Sequence, residues 1–284
     1  MNVLVLGSEG MLGHVVRRYF QSKGHTVRGT SRTASDENYA FDAMENIEDL
    51  AGFIDDFKPE VVINCIGVLN KVAEENKPLA VMINSYLPHY ADTLCQEKGV
   101  KFVHISTDCV FNGKGNGGYT EESLRDATDF YGRSKGLGEL DNDSSVTLRT
   151  SIVGPDMNKN GIGLFQWFMN QEEKAGGFDK VIWTGVTTLE FAKAIEKAIE
   201  HNLTGLRHVV NNEVIDKYSL LSLFKTHFNK NIEIERKSDY VSNKSLMRTT
   251  DFDFEVPSYD QMVSEMSEWV TEHSELYSES QRVA

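Results

Sequence analysis

Cysteine is scarce in this chain: Cys65, Cys95 and Cys109 are the three among 284 residues. An odd number without short paired spacings excludes a disulfide framework and a zinc site of the usual pattern, so reduced thiols in a cytoplasmic setting are expected. Proline is also scarce, at five residues, and the 22 glycines show no period, which excludes collagen-like and low-complexity chains. Basic residues fall short, with 29 Lys and Arg against 43 Asp and Glu. The formal charge of −14 repels nucleic-acid phosphates and anionic lipid. No apolar run reaches the roughly 20 residues that cross a bilayer, and Met1 leads into an apolar strand without the basic segment of a secretory signal. Neither nucleic acid nor membrane is expected as a partner. What is present is a 40% hydrophobic composition, enough to build one large domain or two packed lobes.

Short apolar runs alternate with helical periodicity. Asn2–Leu6 precedes a helix from Met11 to Lys23, and Thr26–Thr30 follows. Ile47, Leu50, Ile54 and Phe57 then form one helical stripe before the run Val61–Ile66. A helix from Leu79 to Lys98, interrupted at Pro88, leads to strands Lys101–Ile105 and Val146–Thr150. Strands apolar on both faces and separated by helices predict an α/β fold with a doubly wound parallel sheet of the Rossmann kind. The expected division is a nucleotide-binding domain over 1–153 and a smaller C-terminal α/β substrate lobe over 154–284, with some of its segments returning to the first domain. Helices are expected over Leu189–Glu200 and Tyr259–Val270, and the polar tail beyond Glu272 is expected to fray.

Gly7-Ser8-Glu9-Gly10-Met11-Leu12-Gly13 falls where the first strand becomes the first helix. There, glycines let backbone N–H groups and the helix N-terminus approach a pyrophosphate. Strand two of an NAD-binding fold normally ends in a carboxylate for the ribose hydroxyls. Here Thr30, Ser31 and Arg32 occupy that place, and a guanidinium flanked by hydroxyls suits the 2′-phosphate of NADPH better than NADH. Asp42 is placed either to meet the adenine amino group or to cap a loop.

Tyr131 and Lys135 are four residues apart, which on a helix puts both on one face. An ammonium beside a tyrosine favours its phenolate and is expected to lower its proton affinity, equipping Tyr131 to protonate a carbonyl oxygen. Thr107, at the carboxyl end of a strand, can hydrogen-bond the same carbonyl.

Together Gly7-x-x-Gly10-x-x-Gly13, Asn64-Cys65-Ile66-Gly67, Asn84, Ser106-Thr107-Asp108-Cys109-Val110-Phe111 and Tyr131-Gly132-Arg133-Ser134-Lys135-Gly136-Leu137-Gly138-Glu139 resemble the extended short-chain dehydrogenase/reductase family. Within it, the chain is most similar to the dTDP-4-dehydrorhamnose reductase branch. The resemblance implies an NAD(P)H-dependent reductase of a nucleotide-linked 4-keto-6-deoxysugar, serving cell-surface polysaccharide or deoxysugar biosynthesis. It implies a catalytic trio of Thr107, Tyr131 and Lys135, a nicotinamide ribose held by Lys135, and cofactor contacts from Asn64, Cys65, Ile66 and Gly67. Asn84 orders a helix rather than reacting, and the paired helices of Asn84 and Tyr131 are where relatives form homodimers. Asp108 and Cys109 become substrate-side residues, as do Lys244 and Arg248, which lie where relatives place groups near the nucleotide diphosphate. No metal ligand set is matched. Two alternatives stay open: an epimerase-reductase of the GDP-fucose synthase type using Cys109, and a regulatory subunit that binds NADPH without turnover.

Overall fold

A computed structural model describes residues 1–211 and 213–283. Strands β1 (Asn2–Leu6), β2 (Thr26–Ser31), β3 (Asn38–Ala40), β4 (Val61–Asn64), β5 (Lys101–Thr107) and β6 (Val146–Thr150) join the Gly205–His208 strand in one seven-stranded parallel sheet. Helices alternate with them in the first half: α1 (Gly13–Ser22), α2 (Asp49–Phe57), α3 (Asn70–Glu75), α4 (Lys77–Val81), α5 (Leu87–Glu97) and α6 (Phe130–Leu137). The second half adds α7 (Leu164–Met169), α8 (Thr188–Glu200), α9 (Lys217–His227) and α10 (Tyr259–Glu272).

The pleat of β1 explains the two layers. Val3 and Val5 point to the face covered by Val15, Val16 and Phe20 of α1 and by Ala192 and Ile195 of α8. Leu4 and Leu6 point to the opposite face, with Leu50 and Ile54 of α2 and Leu87 and Ala91 of α5. A strand buried on both sides reads as an unbroken apolar run, and burying each such side chain stabilises the fold by roughly 1.5–3 kcal/mol. Across the sheet the order runs Gly205–His208, β6, β5, β4, β1, β2, β3. Successive crossovers therefore diverge between β1 and β4, opening a crevice at their carboxyl ends.

Pro88 sits in the first turn of α5, and the residues just before it, Met82–Tyr86, form a π-helical turn. Proline has no N–H to give the Asn84 carbonyl four residues back, so the expected interruption takes the form of a widened turn rather than a gap. Past residue 153 the chain both returns to the main sheet through Gly205–His208 and builds three small sheets. One apolar core continues from Val3 through α8 and α10 to Tyr277, with Phe165 and Phe168 packed on Phe224 and Phe228.

The tail does not fray. Tyr277 is buried, and its hydroxyl hydrogen-bonds His14 Nε2 and accepts from Trp269 Nε1, each at 2.9 Å. Gln281 is fully buried, accepting from Asp156 N and donating to Asp156 O at 2.8 Å. Two well-placed side chains tie down a segment whose composition alone reads as solvated. No helix is long and apolar enough to cross a membrane among the described residues.

Candidate active site

The crevice between β1 and β4 opens into a cleft of about 720 Å³. Its floor is the glycine turn. Gly10 N donates to Gly7 O, and a Cβ on Gly13 would lie 2.0 Å from that same oxygen, so only glycine lets α1 start this close to β1. No side chain caps the N-terminus of α1, whose positive dipole end suits an anion, although His14 N already donates to Gly10 O. Gly7, Gly10, Met11, Thr30, Ser31, Arg32, Asp42, Cys65, Ile66 and Gly67 all line the cleft. Leu12 and Asn64 are buried beneath it, Asn64 donating to His104 Nδ1 and accepting from Ile66 N. Arg32 is exposed at the rim and has no carboxylate partner within 4.0 Å among the described residues.

Two hydroxyls assigned to a 2′-phosphate are already engaged. Thr30 Oγ1 accepts from Gly7 N at 3.1 Å, and Ser31 Oγ donates to Thr33 O at 2.6 Å. Their first task is to shape the turn and the rim. Asp42 accepts from Met44 N, the loop-capping role. Sequence reasoning did not single out Glu9, Asp156 or Asn158, which also line it. Asp156 and Asn158 arrive from a distant loop through its bonds with Gln281, so no local pattern marks them.

At the catalytic end, Thr107 closes β5. Its Oγ1 accepts from Cys109 N at 3.1 Å and donates to Asp108 Oδ1 at 3.2 Å, fixing the turn Asp108–Val110. Helix α6 starts at an Asp129 cap on Gly132 N. A Cβ on Gly132 would lie 2.1 Å from Cys109 O, so glycine is what lets α6 press onto this turn and bring Tyr131 to Thr107. Asn84 bridges the other side: its amide takes Val68 N, gives to Val68 O and gives to Ser134 Oγ. It orders α6 and the cleft wall and touches neither Tyr131 nor Lys135 through a hydrogen bond.

Tyr131 is buried, and burial raises its proton affinity above the ordinary tyrosine range, reinforced by Cys109 and opposed by the Thr107 hydroxyl. The expected lowering by Lys135 is not found. Lys135 instead donates to Ile105 O at 2.6 Å and acts on Cys65, reaching from α6 toward the cleft. Its own proton affinity is brought down to about 8 by burial, against the pull of Glu139 and Cys65. Tyr131 is therefore held protonated at neutral pH, the state a proton donor requires. Burial and Asp108 push the Cys109 thiol up to about 12, which leaves it without thiolate character.

Asp108 is buried, which raises its proton affinity, with Lys244 and then Lys217 opposing. Lys244 is thus brought beside Asp108, the other residue expected on the substrate side. The Arg248 guanidinium instead donates to Phe254 O at 2.8 Å and lies 5.7 Å over the Phe252 ring. An irregular stretch with several charges gives no sequence signal of which one turns inward. No group of three or more metal-ligating side chains converges among the described residues.

A parallel sheet with a glycine turn at its switch point, and a Tyr–Lys pair beside it, defines a Rossmann-type doubly wound α/β protein with a nucleotide-sized cleft. The chain belongs to the RmlD substrate binding domain family, which it matches over residues 1–246. It is similar to the spore coat polysaccharide biosynthesis protein SpsK of Bacillus subtilis, 29% identical over 224 residues covering 76% of this chain and 75% of that one. Methionine adenosyltransferase 2 subunit beta of Xenopus laevis is 23% identical over 251 residues, covering 80% and 72%. The fold matches the crystal structure of dTDP-4-dehydrorhamnose reductase from Bacillus anthracis in complex with NADP, with TM-score 0.79 and 21% identity over 93% of this chain and 98% of that one.

Proposed function

We propose that this protein reduces the keto carbon of a nucleotide-linked 4-keto-6-deoxysugar, with NADPH as the preferred cofactor and NADH as the weaker one. The observation that carries the reading is a protonated, buried Tyr131 set against Thr107, with Lys135 on the same helix held by Ile105 O and acting on Cys65 of the glycine-floored cleft. The cleft fits the cofactor: its volume, the uncapped N-terminus of α1, the close approach permitted by Gly13 and the unpaired Arg32 all suit a dinucleotide phosphate.

When bound, NADPH supplies the hydride. Gly7, Gly10 and Gly13 would hold its pyrophosphate, Arg32 its 2′-phosphate, and Lys135 with Cys65, Ile66 and Gly67 its nicotinamide half. Thr107 orients the substrate carbonyl, and Tyr131 gives its proton to the developing alkoxide. Lys135, ammonium-charged below about pH 8 and held by Ile105 O, would serve the nicotinamide half rather than the tyrosine. The likeness to a spore coat polysaccharide biosynthesis protein of Bacillus subtilis and to a dTDP-4-dehydrorhamnose reductase of Bacillus anthracis supports a sugar-nucleotide reductase in polysaccharide biosynthesis. A homodimer through the α4–α6 side would cover the exposed Val81, Tyr86 and Leu137.

The likeness to a methionine adenosyltransferase subunit favours one second reading, a cofactor-binding regulatory subunit. The intact Thr107, Tyr131 and Lys135 favour turnover over it. The epimerase alternative loses support because Cys109 stays a thiol and no histidine lies between His104 and His201. The deciding test is consumption of NADPH with a panel of nucleotide-linked 4-keto-6-deoxysugars. Consumption with at least one sugar is expected; NADPH binding with no consumption across the panel would favour the regulatory reading.

A further inference from the structure

Two side chains of the segment that follows α10 reach two walls of the cofactor cleft. Tyr277 sits in a directional relay. Trp269 Nε1 can only donate, so the Tyr277 oxygen accepts from it and the Tyr277 O–H points to His14 Nε2, each at 2.9 Å. With Nε2 accepting, the single proton of the neutral imidazole is on Nδ1, 2.9 Å from Gly10 O. Burial brings the proton affinity of His14 down to about 4, which keeps the ring neutral. The relay from α10 therefore ends on a carbonyl of the glycine turn itself.

Four residues on, Gln281 holds a second wall. Its Oε1 accepts from Asp156 N and its Nε2 donates to Asp156 O, both at 2.8 Å, the exchange of bonds that one strand residue makes with another. Asp156 and Asn158 line the cleft. Their loop has little packing of its own: residues 158–160 and Ile162 are exposed, and the amides of Asn158, Asn160 and Gly161 bond within the loop. Beyond it, Gly163 rests on the glycine turn, where a Cβ would lie 3.0 Å from Met11 Sδ. Such a loop belongs to the low end of local stability, and a fully buried glutamine clamped to both polar groups of Asp156 is what fixes it.

We propose that Gln281 and Tyr277 are positioning residues for the cofactor: by holding the Asp156 loop and Gly10 they set the shape of a cleft that neither side chain lines. By reciprocity, a cofactor that binds the tied cleft better than the untied one holds the 274–281 segment in place. The inference rests on reading the cleft as a dinucleotide site, and its test does not need turnover.

The experiment titrates the protein with NADPH, read by nicotinamide fluorescence, and follows amide hydrogen exchange over 155–163 and 274–281 with and without NADPH. Gln281→Met keeps the length of the side chain and makes neither bond. It is expected to weaken NADPH binding about tenfold and to speed exchange over 155–163, as fits the loss of two hydrogen bonds. Tyr277→Phe, which releases His14 from its tautomer, should weaken NADPH about threefold. Ser280→Ala, whose lost bond goes to Asn170 and not to the cleft loop, should stay within about twofold of wild type. In the wild type, NADPH should slow exchange over 274–281 as well as over 155–163, a result that needs no variant to fold. Wild-type NADPH affinity in either folded variant overturns the proposal, as does equal weakening in Ser280→Ala, or exchange over 274–281 that NADPH leaves unchanged. If NADPH binding depends on Gln281 while no 4-keto sugar is reduced, the reductase reading fails and this one stands. If sugars are reduced while Gln281→Met binds NADPH normally, the reverse holds, and a wild type that does not bind NADPH overturns both.

Discussion

At its glycine end the cleft is walled by backbone: Gly7 O, the amides that open α1, and the strand ends of β1 and β4. At its other end nearly every polar group is a side chain, brought in on β5, on α6, at the start of α9 with Lys217 and after Ser242–Asn243 with Lys244. The first end tolerates little added volume but is indifferent to most side chains around it. The second can be retuned by exchanging one residue. On the proposed reading, cofactor binding is a property of the fold, whereas substrate choice is a property of a few residues from separate segments.

The largest effect should come from the side-chain end. Tyr131→Phe is expected to lower kcat by about 10²–10⁴-fold, as loss of a positioned proton donor does, while NADPH titration stays at wild-type affinity. Near-normal turnover in that variant would place the proton source elsewhere. At the backbone end, Gly13→Ala puts a methyl 2.0 Å from Gly7 O. It should cost about 1–3 kcal/mol or more in urea unfolding and weaken NADPH binding together with stability. The same change at Gly67, where the nearest atom is Asn84 Oδ1 at 3.8 Å, should leave stability close to wild type. A stable, cofactor-binding Gly13→Ala would break the contrast between the two ends.

A smaller effect is expected where the tail meets α1. Tyr277→Phe leaves His14 Nε2 and Trp269 Nε1 buried without their shared partner, a loss of about 1–3 kcal/mol readable by urea unfolding. Smallest is the rim: Arg32→Asp should shift the NADPH-to-NADH preference by about tenfold, the equivalent of one charged hydrogen bond. An unchanged ratio would put the 2′-phosphate away from Arg32.

Lys135 adds a pH test with opposite signs for stability and activity. Its proton affinity in the fold is about 8 against 10.5 for an ordinary lysine. Between these values the unfolded chain binds a proton that the folded chain does not, so this group's contribution to stability rises with pH across that window. Turnover, which uses the ammonium, should fall over the same window. A pH–rate profile flat from pH 7 to about 9.5 would exclude the role given to Lys135.

The same division governs what could be read from the sequence. β1, β4, β5 and β6 announce themselves as apolar runs, and the glycine turn sits where a strand becomes a helix, because backbone-built structure leaves local periodic marks. β3 was not legible, being three residues in a polar stretch, and neither was Gly205–His208, in which Arg207 and His208 interrupt the apolar pattern. Tyr277 and Gln281 dock the tail as single residues without a period. Lys217 escaped notice because its place depends on pairing with a strand more than thirty residues upstream. Tyr131 and Lys135 were visible as a helical pair, but their spacing did not show that Lys135 would turn to Ile105 O and leave burial to set the state of Tyr131.

The most direct test of the central claim follows the hydrogen itself. NADPH deuterated at the transferring position would be incubated with the protein and the nucleotide-linked 4-keto-6-deoxysugars, and the sugars examined by mass spectrometry and NMR. The account predicts deuterium at the new carbinol carbon with the wild type and its near-absence with Tyr131→Phe. Label that stays on the cofactor with the wild type, or reaches the sugar equally well in the variant, would contradict it.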